Sequence, residues 1–103
     1  MDNLKKSKKF QFQGIDWEIH WVDEIKRDDD GITYGNTDFA KRIVTLSTEA
    51  KGVPIPELAV NRTLWHELVH LILEEGQYGE ASSDEAMVEL LGKGIYELIK
   101  QDL

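Results

Sequence analysis

Thr63-Leu64-Trp65-His66-Glu67-Leu68-Val69-His70-Leu71-Ile72-Leu73 is the stretch that decides how this chain is read. Its apolar residues recur at helical spacing, and within it His66 to His70 spell H-E-x-x-H. On an α-helix, residues four apart share a face, roughly 40° apart about the axis. His66 and His70 can therefore reach one metal ion together. Glu67, one position round from His66, lies on the rim of that face, where a carboxylate can act on water as a general base.

The helix predicted around this motif runs from Glu57 to Glu75, with Pro56 suited to its first turn because a missing N–H costs nothing there. Leu58, Trp65, Leu68, Val69 and Ile72 cluster on one side, and His66, Glu67 and His70 occupy much of the other. Leu64 and Leu71 add apolar surface at a third angle, so the helix should be mostly buried, with its polar stripe lining a cleft. Gly76 and Gly79 bracket the loop that ends it.

Downstream, Ser82-Ser83-Asp84-Glu85 opens a second helix to about Gln101, with Met87, Val88, Leu91, Ile95, Leu98 and Ile99 as its apolar face. Glu85, Glu89, Gly92 and Tyr96 form an adjoining stripe. A mid-helix glycine costs about 1 kcal/mol relative to alanine, so Gly92 predicts a close helix-helix contact.

Upstream, the pattern has period two. Phe10 and Phe12 alternate with Gln11 and Gln13. After Gly14, Ile15, Trp17, Ile19 and Trp21 alternate with polar residues and should face a core. His20 falls on the polar side and reads as a solvent-facing strand residue. Asp28-Asp29-Asp30-Gly31 reads as a solvated turn, because no glutamate follows at the offset of a calcium loop. Ile32-Thr33-Tyr34-Gly35, a turn around Asn36-Thr37-Asp38, and Arg42 to Ser47 predict an antiparallel hairpin. The expected fold is α+β: a small, mainly antiparallel sheet of three or four strands, the H-E-x-x-H helix and a C-terminal helix.

Composition bounds the rest. A chain of 103 residues is read as a single domain, 1-103, and Met1 to Lys9, with four lysines and no apolar run behind them, as a basic tail and not a signal peptide. No apolar run is long enough to span a bilayer, so no membrane partner is expected. The net charge of −8 argues against nucleic acid as a partner. The absence of cysteine excludes disulfides and thiolate metal sites, and suits a cytoplasmic protein. A metal must then be held by His, Asp or Glu. Zinc, one per chain, suits two histidines and a carboxylate, although manganese, nickel or iron can occupy a similar set.

The third ligand has to come from outside the motif, and Glu85 is the expected one. Glu89 is the alternative, with Glu74, Glu75, Glu80 and Asp84 behind it. Ser82-x-x-Glu85 also fits a capping box, which would take the Glu85 carboxylate away from a metal. Glu89 is assigned to accept the outer N–H of a ligand histidine. Tyr34, Tyr78 and Tyr96 are candidates for an oxyanion partner, and the sequence does not choose among them.

His66-Glu67-Leu68-Val69-His70, with Thr63-Leu64-Trp65 before it and Leu71-Ile72-Leu73 after it, resembles the active-site helix of gluzincin-type metallopeptidases. Asp84-Glu85-Ala86 on the next helix is similar to the Glu-Ala-containing helix of the ImmA/IrrE-type minimal metallopeptidases of phages, prophages and mobile elements. Met87 departs from that pattern, standing where a small polar residue is frequent. The likeness covers roughly residues 30 to 100, and its H-E-x-x-H part is the specific one. It implies His66, His70 and Glu85 as zinc ligands and Glu67 as the base that activates a zinc-bound water. It further implies a protein or peptide as substrate, a phage or prophage setting, and Arg42 to Ser47 as an edge strand lining the substrate cleft. A catalytically silent, zinc-stabilised protein-binding module of the same fold is the alternative.

Overall fold

The Gln13-Gly14 pair sets the first half of the molecule. Both residues have positive φ, 53° and 76°, the conformation a two-residue hairpin turn requires. The turn joins β1 (Leu4–Phe12) to β2 (Ile15–Val22), antiparallel, in one register from Phe12↔Ile15 to Lys6↔Trp21 and shifted by an irregularity before Leu4↔Val22. The computed structural model describes residues 3–101. The lysines expected in a tail therefore belong to a strand. The hairpin register carries pairing along the whole of β2, and exposed lysines on an edge strand oppose pairing with other chains. Lys6 Nζ sits 4.3 Å from the Trp21 ring centroid.

β3 (Gly35–Asp38) and β4 (Ile43–Ser47) form the expected hairpin with its boundaries displaced. Asn36, Thr37 and Asp38 lie in the strand, and the reversal falls on residues 39–42, where Arg42 takes φ 59°. The sheet order is β1-β2-β4-β3, with β2 and β4 parallel. The sheet is thus mixed: two of its three pairings are antiparallel, as expected, and the β2–β4 pairing is parallel. Residues 23–34 cross the end of the sheet at the C-terminus of β2 and leave a strand's width open; β3 runs back antiparallel to β2 as the outer edge, and β4 fills the gap parallel to β2. β5 (Glu49–Ala50) and β6 (Val53–Pro54) make a small separate ribbon.

Helix α1 (Glu57–Glu75) lies on this sheet, followed by a single turn α2 (Gly79–Ser82) and by α3 (Glu85–Lys100). Trp17, Ile19, Val44 and Leu46 from the sheet and Val60 and Leu71 from α1 form the buried cluster, with Leu64 and Leu68 packed against it. Trp17 stacks on Phe10 and meets Phe39 edge-on. Ile15 is exposed and Trp21 half-buried, so the predicted parity holds best in mid-strand. On α1 the predicted face is rotated: Leu58 and Ile72 are exposed, and Val60 and Leu71 are buried. The reason is that α1 is covered on two sides, by the sheet and by α3, so its apolar residues need not fall on one stripe.

α3 begins three residues later than expected. Asp84 caps it, its Oδ1 accepting from the Met87 N–H at 3.1 Å. Of its predicted apolar face, Val88 is buried, Met87 and Ile95 are half-buried, and Leu91, Leu98 and Ile99 are exposed. Gly92 is buried at the crossing with α1. A Cβ there would stand 2.9 Å from the His66 N and 3.0 Å from its Cα, so the predicted close contact is one of backbone against backbone.

Candidate metal centre

His66 and His70 lie one turn apart on α1, their ring centroids separated by 4.9 Å. α3 crosses α1 at this turn because Gly92 permits it, and the crossing delivers the first residue of α3 to both rings. Glu85 Oε2 is 3.2 Å from His66 Nε2, and Glu85 Oε1 is 3.2 Å from His70 Nε2. The donor atoms of His66, His70 and Glu85 all lie within 4.8 Å of one another. Two ligand atoms each about 2.0–2.1 Å from zinc at a tetrahedral angle stand about 3.3 Å apart. The Glu85 contacts have that spacing. A charge-assisted hydrogen bond is shorter, about 2.7–2.9 Å.

The outer nitrogens are engaged separately. His66 Nδ1 is 2.8 Å from Glu89 Oε2, and His70 Nδ1 is 2.9 Å from Ser82 Oγ. An ionised carboxylate only accepts, so His66 donates Nδ1–H to Glu89 and a neutral ring keeps its lone pair on Nε2. This arrangement fixes the tautomer a metal ligand needs. Burial pushes the Glu89 carboxyl up, but the hydrogen bonds to His66 and Lys93 outweigh it and hold the group below its ordinary value.

Each remaining candidate has a definite place. Glu85 stands at the two histidines, in the group that could hold a metal ion, and Glu89 stands behind His66. Ser82 makes no capping box. It is buried, and its hydroxyl serves His70, a role the sequence reading missed because Ser82 read as the opening of a helix. Among the described residues, Glu74, Glu75, Glu80 and Asp84 do not join the cluster. His20 bonds Glu18 at 3.0 Å, within β2. Asp29 pairs with Arg27 and accepts from the Gly31 N–H, which closes the acidic turn.

No family model, curated protein or solved structure matches this chain. The site therefore has to be read from its own geometry.

Glu67 is buried on the sheet side of the motif, and Thr37 on β3 donates its hydroxyl to Glu67 Oε1 at 2.7 Å. β3 can approach α1 because of Gly35. A Cβ at that residue would lie 2.6 Å from Thr63 Cγ2 and 3.2 Å from Glu67 Cγ. The expectation for the lining strand is corrected here. β4 is interior to the sheet, and the free edge beside the motif belongs to β3. Between the start of β3 and α1 opens a cleft of about 530 Å³, lined by Arg27, Tyr34, Gly35, Arg62, His66 and Glu67 among others. Of the three tyrosines, Tyr34 is exposed at this cleft. Tyr78 is exposed beyond the end of α1. Tyr96 accepts a hydrogen bond from Asn61 Nδ2 at 3.3 Å, in the α1–α3 contact.

Proposed function

We propose that the chain is a zinc-dependent peptide-bond hydrolase, its ion held by His66, His70 and Glu85, with Glu67 as the general base in the cleft beside β3. The observation that carries this reading is the spacing of Glu85, 3.2 Å from the Nε2 of each histidine while each Nδ1 is engaged elsewhere. The resemblance to ImmA/IrrE-type minimal metallopeptidases supports it from the sequence side.

Zinc, when bound there, supplies a Lewis acid that polarises a carbonyl and acidifies water. Thr37 holds Glu67 Oε1, which orients the carboxylate and leaves Oε2 to take a proton and pass it to a leaving amine. Burial of Glu67 keeps that transfer away from bulk water. Tyr34 lines the cleft, which supports it over Tyr78 and Tyr96 as the donor to a developing oxyanion. Glu89 and Ser82 keep the two imidazoles from turning.

A second reading, a metal-stabilised binding module without turnover, draws on the scant burial of α3, where only Val88 and Gly92 are fully buried. One experiment separates the two. Purified protein is expected to carry one zinc per chain and to cleave members of a quenched-fluorescence peptide library. Glu67→Gln should keep the zinc and lose cleavage, and His70→Ala should lose both. Undiminished cleavage by Glu67→Gln removes Glu67 as the base, and peptide binding without cleavage by the wild type selects the binding module. Zinc held at full affinity by Glu85→Ala overturns the third ligand.

A further inference from the structure

The chain has three arginines, Arg27, Arg42 and Arg62, and two of them line the cleft beside the candidate metal centre. Their situations differ. Arg27 is engaged, with Nε and Nη2 on the Asp29 carboxylate at 2.7 and 2.8 Å and Nη1 on Thr33 Oγ1 at 2.8 Å. Arg62 is exposed, and its side chain takes part in no hydrogen bond or ion pair among the described residues. Its helical neighbours explain this, since the positions three and four away are Leu58, Ala59, Trp65 and His66, none of them acidic. Arg62 also stands one turn before His66 on the same face, about 6 Å along the axis. Arg62 thus lines the cleft one helical turn from His66 with its guanidinium donors unspent.

We propose that Arg62 is a specificity residue that pairs with a substrate carboxylate next to the metal centre. The planar fork of arginine matches a carboxylate with two parallel N–H···O bonds, which a lysine cannot reproduce. The protein's net charge of −8 repels an anion at long range, so Arg62 acts as a short-range selector and not as part of a steering field. Two substrate features offer that group: an aspartate or glutamate side chain near the scissile bond, and a free C-terminal carboxylate. The inference rests on the peptide-hydrolase reading above, but its test reads binding and needs no turnover.

The probe is a set of short peptides offered to the zinc-loaded Glu67→Gln protein: acetyl-AAEAA-amide, acetyl-AAQAA-amide, and acetyl-AAQAA with a free C-terminus. Calorimetry should show at least one carboxylate-bearing peptide binding about tenfold tighter than the neutral one, about 1.4 kcal/mol. That preference should collapse when Arg62→Gln is added and shrink as salt is raised. A preference confined to the glutamate peptide identifies an acidic side chain, and one confined to the free terminus identifies a carboxypeptidase-like mode. Equal affinities, or binding of none of the peptides at millimolar concentration, overturns the proposal. So does a preference that survives Arg62→Gln at full size, because the carboxylate would then be held by the metal. If the wild type cleaves without an Arg62-dependent preference, this inference fails alone. If the preference holds in a protein that never cleaves, the hydrolase reading fails alone.

Discussion

Replacing Gly92 by alanine tests whether the α1–α3 crossing builds the site. The added Cβ would stand 2.9 Å from the His66 N, 3.0 Å from its Cα and 3.2 Å from the Trp65 carbonyl carbon, where ordinary contacts begin at 3.4 Å. These are backbone atoms of a packed helix and cannot swing aside, so α3 must retreat by about half an ångström. A metal site tolerates about 0.2 Å in its ligand distances, and Glu89 and Glu85 sit one and two turns from the clash. Overpacking costs about 1–3 kcal/mol, offset by about 1 kcal/mol of helix propensity gained. The expected result is a fold weakened by roughly 0–2 kcal/mol and a zinc affinity lowered by at least about tenfold. Urea unfolding of the metal-free protein and competition with a chromogenic chelator measure the two effects. Gly94→Ala is the matched control in the same helix. Its Cβ would meet nothing within 4 Å, so it should keep full zinc affinity and gain about 0.5–1 kcal/mol. A Gly92→Ala protein that binds zinc like the wild type and unfolds later than it would refute the reasoning.

Thr37→Val strips the buried Glu67 carboxylate of its hydroxyl partner and should cost about 1–3 kcal/mol in urea unfolding; Thr37→Ser should restore most of it, and an equal loss in both variants would show that packing is responsible. The Asp29 carboxyl is lowered to about 2 by its hydrogen bond to Arg27 and by the Gly31 N–H. Because the folded value is depressed, the pair is intact above the ordinary carboxylate range and is lost as pH falls toward 2; carboxyl NMR shifts at pH 3 should show Asp29 mostly ionised in the wild type and more protonated in Arg27→Gln, where the Gly31 N–H still lowers it. Without metal, the α3 amides should exchange faster than those of central α1, and zinc should slow them; α3 protection indifferent to zinc would contradict a role for the ion in holding that helix.

How far the molecule could be read in advance depended on whether a residue's role lay in its own helix or in another element. Period 3.6 alone put His66, Glu67 and His70 on one helix and Glu85, Glu89 and Gly92 on one stripe of the next, and the structure brings those two stripes together. Thr37 reads as a turn residue because Asn36-Thr37-Asp38 has turn chemistry. Its strand character comes from pairing with β4, Thr37 opposite Val44, which no local signal encodes. Ser82 reads as the opening of a helix because nothing in Ser82-Ser83-Asp84-Glu85 marks the break that leaves Ser82 at the end of α2. The parallel β2–β4 pair was missed for a related reason. Alternation says which face a residue takes but not which strand lies beside it. The lysines of β1 hid a strand because an exposed edge needs no apolar alternation to pair.

The division of labour between the helices explains why so small a chain can hold such a site. α1 is fixed by the sheet through Val60, Leu64, Leu68 and Leu71, so His66 and His70 rest on the best-buried part of the molecule. Everything that completes the pair comes from Ser82 to Glu89: a hydroxyl for one Nδ1, a carboxylate for the other, and Glu85 between the two Nε2 atoms. α3, which carries both carboxylates, is held less by burial than α1, since its Leu90, Leu91, Leu98 and Ile99 are exposed. An ion bound between a fixed half and a loosely held half favours their docking over their separation, and by linkage whatever weakens docking weakens ion binding. Metal affinity in this protein should therefore respond to substitutions along the α1–α3 contact that touch no ligand, and respond much less to core substitutions of equal cost in the β1–β2 hairpin.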